Sequence, residues 1–301
     1  MFDVGGSHVA AGVFRLWDES VANVHQVPVS FSITASDFFA LSRLLLDAVR
    51  LDRATPTGVA VSIPNPFDHA RGISYMEHKY AKLYGVNLRQ GLSEALACDP
   101  CRIRFVHDAR AFLLGELHRG AGIGATRSIG ITLGTGVGAA FAIGEDIVLE
   151  EAGVPPGGEI WNLPYRGETV EAFVGTGAIQ RKYQQLTGIS ASARDIASVA
   201  KGNTAARTTF DWFGRELGRV IRHTCLGFAP ERIIVGGKIS QAANLFLNST
   251  REELSGLGIQ LRVCRLLDIA PLVGAGMDWK QMHAGTKSLA TTRINAIADT
   301  P

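Results

Sequence analysis

Apolar and polar positions alternate at the start of the chain, a spacing that predicts β-strands. The apolar residues of Phe2–Val4 precede the pair Gly5-Gly6 and those of Val9–Phe14 follow it, so this stretch is predicted to form a hairpin. A third strand is predicted over residues 21–31. After it, apolar residues recur every three or four positions, which predicts a helix with Ser36 as its N-cap.

The same patterns continue along the rest of the chain. Further strands are predicted over residues 58–63, 103–106, 129–133, 137–143, 233–235 and 259–263, and further helices over residues 90–97, 109–118, 170–185, 204–228, 241–254 and about 271–284. Three strands followed by alternating helices and strands occur twice, which predicts an α/β fold of two similar lobes, each with a mixed sheet, and a cleft between them. We expect lobes of residues 1–107 and 108–301, with the last helix returning to the first lobe and residues 285–301 forming a loose tail.

Composition narrows the classes of protein to consider. Hydrophobic residues make up 46% and charged residues 19% of the 301 residues, which suits a large packed core. The 30 basic and 28 acidic residues are mixed along the chain, so no nucleic-acid-binding surface is predicted. No apolar run is long enough to span a membrane, no secretory signal is present and the four cysteines are few, so a cytoplasmic protein is expected.

The first glycine turn is a candidate phosphate-binding site. It comprises Asp3, Gly5, Gly6 and Ser7. Glycines there permit a positive φ, leave backbone N–H groups facing an anion, and place Asp3 where it could hold Mg²⁺ through water. An ordinary Gly-Gly hairpin accounts for the same residues.

A second glycine-rich segment, Thr132–Gly138, also suits a phosphate. Its candidate ligands are Gly134, Thr135, Gly136 and Gly138. The same letters satisfy the dinucleotide-binding pattern G-x-G-x-x-A, with the acidic Glu159 about twenty residues further on. That pattern must open a helix, whereas the apolar stretch that follows is interrupted by Gly144. A hairpin is therefore preferred, and a dinucleotide-dependent dehydrogenase is the less favoured class.

Two further candidates follow predicted strands. The pair Gly236-Gly237 could let a flat adenine or ribose approach the backbone, or could form a plain strand-to-helix turn. Asp108 is either a general base for phosphoryl transfer or a helix N-cap. Glycine turns at strand ends of two repeated halves, with an aspartate where the halves join, resemble the actin and hexokinase superfamily. The predicted fold class is thus the two-lobed actin-like ATPase (ribonuclease H-like) fold.

Within that superfamily the chain resembles the ROK family (repressor, open reading frame, kinase) from Asp3 to about Met277. The matching motifs are D-V-G-G-S-H at residues 3–8, I-P-N-P at 63–66, H-D-A-R-A at 107–111, L-G-E at 114–116, T-L-G-T-G-V-G at 132–138, G-E at 158–159, V-E-A-F at 170–173 and I-I-V-G-G-K-I-S at 233–240.

The resemblance implies a kinase that passes the γ-phosphoryl group of ATP to a sugar, with Mg²⁺ near Asp3. Asp108 would be the general base. The residues that would bind the sugar are Asn65, His107, Glu159, Asn162 and Glu171. The two glycine turns would bind phosphates, and Gly236-Gly237 would bind adenosine. A homodimer is also implied.

The chain departs from the family pattern at several of these positions. The family has Lys, Asn, His and Gly where this chain has His8, His107, Asn162 and Lys238, respectively. The zinc motif C-x-C-G-x-x-G-C, which the family carries between Glu159 and Glu171, is missing here, so no structural zinc is expected. Trp161 either stacks on a sugar or fills the space of the missing zinc loop.

A sugar-binding protein or sensor without turnover is the alternative function, because some members of the family are repressors. Those members carry a helix-turn-helix domain before the first glycine motif. Here that motif begins at Asp3, so no such domain is expected.

Overall fold

The structure is a computed structural model that describes residues 1–50, 56–77 and 79–283. The chain divides into two compact units. The first consists of residues 1–115 and the segment that begins at Pro271, and the second of residues 116–270. The division thus falls after the sequence-based boundary of residue 107, and Asp108 belongs to the first unit. The predicted tail of residues 285–301 lies outside the described residues.

The first unit is built on a five-stranded mixed sheet. Its elements are β1 (Phe2–Val4), β2 (His8–Phe14), β3 (Val21–Pro28), α1 (Ala35–Val49), β4 (Val59–Ile63), β5 (Phe67–Asp68), β6 (Ile73–Ser74), α2 (Leu88–Leu96), β7 (Ile103–His107) and α3 (Asp108–Arg119), which continues past the division. The strand order is β3-β2-β1-β4-β7, with β1, β4 and β7 parallel. Their carboxyl ends therefore lie at one edge of the sheet, and the residues that follow them gather there.

The start of α1 differs from its prediction. The N-cap is Thr34, whose extended backbone lets its side-chain oxygen accept the N–H of Asp37 at 3.2 Å. The prediction of Ser36 as the N-cap was therefore wrong. The strand β3 also ends earlier than predicted, at Pro28, and the next N–H, that of Val29, donates to the carbonyl of Ser7 at 3.0 Å.

The second unit repeats the arrangement of the first. Its elements are β8 (Arg127–Leu133), β9 (Val137–Ile143), β10 (Asp146–Val148), β11 (Pro164–Tyr165), β12 (Glu168–Thr169), α4 (Glu171–Val174), α5 (Thr176–Thr187), α6 (Ala193–Val199), α7 (Thr204–Thr224), β13 (Arg232–Gly236), α8 (Ala243–Glu253) and β14 (Gln260–Val263). The strand order is β10-β9-β8-β13-β14, with β8, β13 and β14 parallel. Each unit thus has three antiparallel strands followed by two parallel ones. The predicted α/β class with a mixed sheet in each half is confirmed.

Three helices of the second unit differ from their predictions. The helix predicted over residues 170–185 is broken at Gly175, whose extended backbone (φ −101°, ψ 176°) separates α4 from α5. The helix predicted over residues 241–254 begins with a 3₁₀ turn, Lys238–Ala242, before α8. The long helix α7 ends at Thr224, and a separate 3₁₀ turn follows it. The helix α6 was not predicted from the sequence.

A last helix, α9, covers residues 270–283 and packs on the sheet of the first unit. Its Trp279 is buried and donates from Nε1 to the carbonyl of Arg102 at 3.1 Å. A Cβ at Gly58 would lie 2.3 Å from that indole ring, so glycine is required for this close approach. Arg104 of β7 forms an ion pair with Asp278 of the helix at 2.6 Å.

A carboxylate is completely buried in the second unit. Glu116, at 0% exposure, accepts the backbone N–H groups of Ala121 at 2.7 Å, Arg265 at 3.0 Å and Leu266 at 2.8 Å. Hydrogen bonds to a charged acceptor are stronger than neutral ones, and they compensate the desolvation of the carboxylate. Glu116 therefore ties the end of α3 to the segment that follows β14.

We expect Glu116→Gln to lower the free energy of unfolding by about 2–4 kcal/mol, because the new amide group would point N–H donors at backbone N–H donors. Thermal and urea unfolding monitored by circular dichroism would measure the loss. Glu94→Gln is the matched control, since the carboxylate of Glu94 is exposed and accepts a hydrogen bond from the side chain of Gln90 at 2.7 Å. Equal stability of the two variants would contradict the structural role of Glu116.

Candidate functional site

The first glycine turn leaves one buried carboxylate with acceptor capacity to spare. Asp3 is 6% exposed and lies opposite Ser62 in the parallel pair of β1 and β4. Its Oδ1 accepts the hydroxyl of Ser62 at 2.8 Å, and its Oδ2 lies 3.7 Å from Nε2 of His8. Ser62 was not singled out from the sequence, although a serine inside the apolar strand GVAVSI is a usable signal.

The glycine at position 5 is required for a reason other than the predicted one. Gly5 does not adopt a positive φ. A Cβ there would instead lie 2.5 Å from the imidazole ring of His8, which packs directly over it. The carbonyl of Gly5 accepts the hydroxyl of Tyr80 at 2.5 Å. Burial and the nearby charge of Asp3 raise the pKa of Tyr80 to about 12, so this hydroxyl remains a donor at neutral pH. Within the same turn Gly6 is half-buried and Ser7 exposed.

Asp108 has one oxygen held and one oxygen open. It is the first residue of α3, directly after β7, and its Oδ1 accepts the N–H of Ala109 at 2.7 Å. The same oxygen lies 3.1 Å from Nε2 of the buried His107. Oδ2 has no hydrogen-bond partner among the described residues. Asn65 follows β4, so it lies at the same edge of the sheet as His107 and Asp108.

A second histidine, which sequence reasoning missed, packs against this edge. The ring of His69 lies 6.5 Å from that of His107 and perpendicular to it. Burial, and then electrostatic interactions with His107, Arg110 and Arg104, lower the pKa of His69 to about 4, so its side chain is neutral at pH 7. No sequence pattern marks it, because His69 lies in a turn after β5 and reaches His107 only through the fold.

The second glycine turn connects β8 to β9. Within it the N–H of Gly134 donates to the carbonyl of Gly136 at 2.9 Å. The carbonyl of Gly134 accepts both the N–H of Thr176, at 2.9 Å, and its hydroxyl, at 2.7 Å. Thr135 is exposed, and Gly138 lies in β9. Because a strand follows this turn and not a helix, the dinucleotide-binding interpretation is wrong.

Hydrogen bonds connect the two glutamates predicted to bind sugar to each other, by way of Trp161, and to this turn. The carboxylate of Glu159 accepts from Nε1 of Trp161 at 2.7 Å, and the carbonyl of Trp161 accepts the N–H of Glu171 at 3.0 Å. The carboxylate of Glu171 accepts the N–H of Val137 at 3.1 Å. A Cβ at Gly136 would lie 1.9 Å from that carboxylate, so the glycine leaves room for Glu171. Trp161 therefore orients the carboxylate of Glu159 through its indole and holds the backbone of Glu171 through its carbonyl.

The remaining predicted residues lie at the ends of secondary structure elements of the second unit. Asn162 is exposed in the turn after Trp161. Gly236 ends β13, and Gly237 adopts φ 81° with its Cα against β8, where a Cβ would meet the carbonyl of Leu133 at 2.4 Å. Glycine is therefore obligatory at position 237 for both conformational and steric reasons.

No group of three or more His, Cys, Asp or Glu side chains in the described ranges is arranged to hold a metal ion. Within the same ranges, no helix is both long and apolar enough to cross a membrane.

The two five-stranded mixed sheets have equivalent strand orders, which is the α/β architecture of the actin-like fold. The model of the ROK family matches residues 2–261, and the chain belongs to that family. The glucokinase of Halalkalibacterium halodurans is 29% identical over 209 residues, which cover 59% of this chain and 63% of that protein, less than two thirds of its length.

Solved structures show the same fold. A ROK family glucokinase from Streptomyces griseus, in complex with glucose and AMPPNP, superimposes with a TM-score of 0.78 at 21% identity and covers 93% of this chain and 98% of that one. A ROK family transcriptional regulator, a homologue of the Escherichia coli MLC protein, superimposes with a TM-score of 0.74 at 20% identity and covers 93% of this chain and 76% of that one.

Proposed function

We propose that this chain is a sugar kinase that transfers the γ-phosphoryl group of ATP to a hydroxyl of a hexose or hexose derivative. The observation that carries the proposal is the carboxylate of Asp108, which is held through Oδ1 while Oδ2 is open to a substrate hydroxyl. Membership of the ROK family and the similarity to a glucokinase support it.

In the first unit, Asp108 would accept the proton of the attacking hydroxyl as the bond to phosphorus forms. The fixed Oδ1 limits rotation of the carboxylate, so Oδ2 keeps its direction. His107 and Asn65, at the same edge of the sheet, would bind neighbouring sugar hydroxyls. The N–H groups of Gly6 and Ser7 would bind phosphate oxygens, while the N–H of Gly5 donates to the carbonyl of His8 at 2.9 Å and shapes the turn.

In the second unit, Glu159 and Glu171 would accept hydrogen bonds from sugar hydroxyls, with Asn162 nearby. Their carboxylates are pre-oriented by Trp161 and Val137, which reduces the entropy lost on binding. The turn of Gly134, Thr135, Gly136 and Gly138 would bind phosphate, and Gly236-Gly237 would bind adenosine.

Asp3 fits a Mg²⁺ ion bound mainly by water and by nucleotide phosphates. It is a single carboxylate with one hydrogen bond from Ser62, so it retains acceptor capacity for a metal-bound water. Mg²⁺, when bound, would neutralise charge on the transferred phosphoryl group. The cytoplasmic location and the homodimer stay predictions that rest on the sequence and the family resemblance.

A sugar-binding protein without turnover is the second candidate. The fold of a ROK transcriptional regulator superimposes well, and His8, His107 and Asn162 replace residues typical of the family. Such a protein would bind a sugar without consuming ATP.

Purified protein, incubated with Mg-ATP and a panel of hexoses, amino-hexoses and N-acetylated hexoses, is expected to release ADP only in the presence of particular sugars. A coupled ADP assay with product detection by mass spectrometry would measure this. Sugar binding by calorimetry without ADP release would favour the second candidate. Neither binding nor release with any member of the panel would contradict the proposed substrate class.

A further inference from the structure

A short hairpin joins the two predicted sugar-binding glutamates of the second unit. The strands β11 and β12 lie between Glu159 and Glu171 along the chain. The N–H of Val170 donates to the carbonyl of Leu163 at 3.0 Å, and the N–H of Glu171 donates to that of Trp161 at 3.0 Å. The hairpin therefore closes a loop whose two ends carry Glu159 and Glu171. The position of the hairpin accordingly constrains the positions of the two glutamates.

The tip of this hairpin contains a strained arginine. Arg166 and Gly167 have φ values of 51° and 85°, respectively, as a two-residue hairpin turn with both central residues left-handed requires. Asn, Asp or Gly is favoured at the first of these positions, and another residue there costs on the order of 1–2 kcal/mol. An arginine in this conformation points to a role for its guanidinium group.

That guanidinium reaches a buried carboxylate on the neighbouring helix α7. Arg166 donates to both carboxylate oxygens of Glu216 at 3.1 Å, and Glu216 is 1% exposed. The hydroxyl of Tyr165 donates to the same carboxylate at 3.2 Å, and Arg219 donates to it at 2.8 Å. The hairpin therefore contributes two of the three side chains that satisfy the buried charge of Glu216.

The hairpin also packs directly against the element that carries Glu171. The ring of Tyr165 lies 5.0 Å from that of Phe173 in an edge-to-face arrangement, and Phe173 is in α4 with Glu171. Tyr165 also contacts His223 of α7, whose Nε2 lies 3.1 Å from the carbonyl of Pro164. Tyr165 thus packs against both α7 and α4 and couples the placement of the two helices.

We propose that Glu216, Arg166 and Tyr165 form an anchor, here called the Glu216 anchor, that positions Glu159 and Glu171 for the sugar. This inference rests on the proposed function. It makes Glu216, Arg166 and Tyr165 positioning residues, which act through the two glutamates without contacting the substrate. In this proposal, the Glu216 anchor holds the segment between Glu159 and Glu171 in place.

Arg166→Met removes the guanidinium while it keeps much of the apolar side chain. We expect the KM for sugar to rise about tenfold, because misplaced glutamates bind less well, while kcat and the KM for ATP change less than about twofold. Arg166→Lys keeps the positive charge and is expected to raise the KM for sugar less than Arg166→Met does. Tyr165→Phe is also expected to produce a smaller rise in this KM. The matched control is Arg215→Met, because Arg215 lies on α7 near Glu216 but pairs with Asp211, Glu252 and Glu253.

Hydrogen exchange of the peptide that covers residues 163–171 provides a readout independent of turnover. Exchange is expected to accelerate in Arg166→Met and to stay unchanged in Arg215→Met. Unchanged exchange in Arg166→Met would overturn the anchor itself. Faster exchange with an unchanged sugar KM would overturn the positioning role. If the wild-type protein neither binds nor phosphorylates a sugar, the proposed function and the positioning role both fail. The exchange experiment would still decide whether the anchor holds the hairpin.

Discussion

Replacement of Asp108 by asparagine is expected to lower kcat for sugar phosphorylation by about 10²–10⁴-fold, the usual contribution of a general base. The amide has the same shape and still accepts the N–H of Ala109 through its oxygen, so α3 should begin unchanged. It cannot take up the proton of the sugar hydroxyl. The KM for ATP should change little, because the glycine turns do not include Asp108.

The control for this variant is Asp37→Asn. Asp37 is an exposed carboxylate in the first turn of α1 and interacts with Thr34. It matches Asp108 in residue type, in lying in the first turn of a helix and in belonging to the first compact unit. Thermal unfolding and nucleotide affinity of both variants should match those of the wild type, whereas only Asp108→Asn should lose turnover. Wild-type kcat in Asp108→Asn would show that Asp108 is not the base.

Much of the fold could be predicted because its strands are buried and bounded by turn residues. Val59–Ile63 is buried at every position and lies between Gly58 and Pro64. The apolar segments of β8 and β9 flank Gly134-Thr135-Gly136 in the same way. Local sequence carries these signals without any tertiary contact, so the repeated strand pattern and the α/β class followed from it.

Helix ends and breaks were harder to predict because tertiary contacts decide them. Gly175 interrupts a continuous helical pattern, and the interruption lets Thr176 bond the carbonyl of Gly134. A glycine inside a helix costs about 1 kcal/mol but is tolerated, so Gly175 alone did not predict a break. The sequence predicted Ser36 as the N-cap of α1 in place of Thr34 for a similar reason. Both residue types cap helices, and only the backbone geometry distinguishes them.

The same distinction between local signals and tertiary contacts applies to the residues of the candidate site. Its glycines and acidic residues stand in recognisable motifs, so Asp3, Asp108 and Glu171 could be proposed from sequence alone. Their supporting residues, Tyr80 and His69, are distant in sequence from the groups that they contact and belong to no motif. Side-chain contacts of this kind depend on the assembled sheet, and a single sequence does not encode them in a local pattern.

The contact between Gly136 and Glu171 leads to the second large prediction. Gly136→Ala is expected to lower kcat/KM for the sugar by about 100-fold, because a displaced binding group misorients the substrate. The backbone of Gly136 is not left-handed, so alanine is conformationally acceptable there. Its Cβ would lie 1.9 Å from Oε2 of Glu171, and the carboxylate must move away from the N–H of Val137.

The stability of the variant should fall by only about 1 kcal/mol, the net value of one hydrogen bond. Gly202→Ala is the matched control. A Cβ at Gly202 meets nothing within 4 Å, and its backbone is likewise not left-handed, so this variant should retain wild-type activity and stability. Steady-state kinetics with varied sugar, together with thermal unfolding of both proteins, would measure the contrast.

A double-mutant cycle tests whether the effect passes through Glu171. If alanine at position 136 acts by displacing that carboxylate, then Gly136→Ala should add almost nothing in a Glu171→Ala background, because the group to be displaced is absent. If the two losses in kcat/KM multiply instead, alanine acts on its own, for example by obstructing a phosphate at the turn. That outcome would separate the phosphate-binding role of the second glycine turn from the placement of Glu171, and it would contradict the coupling inferred from the structure.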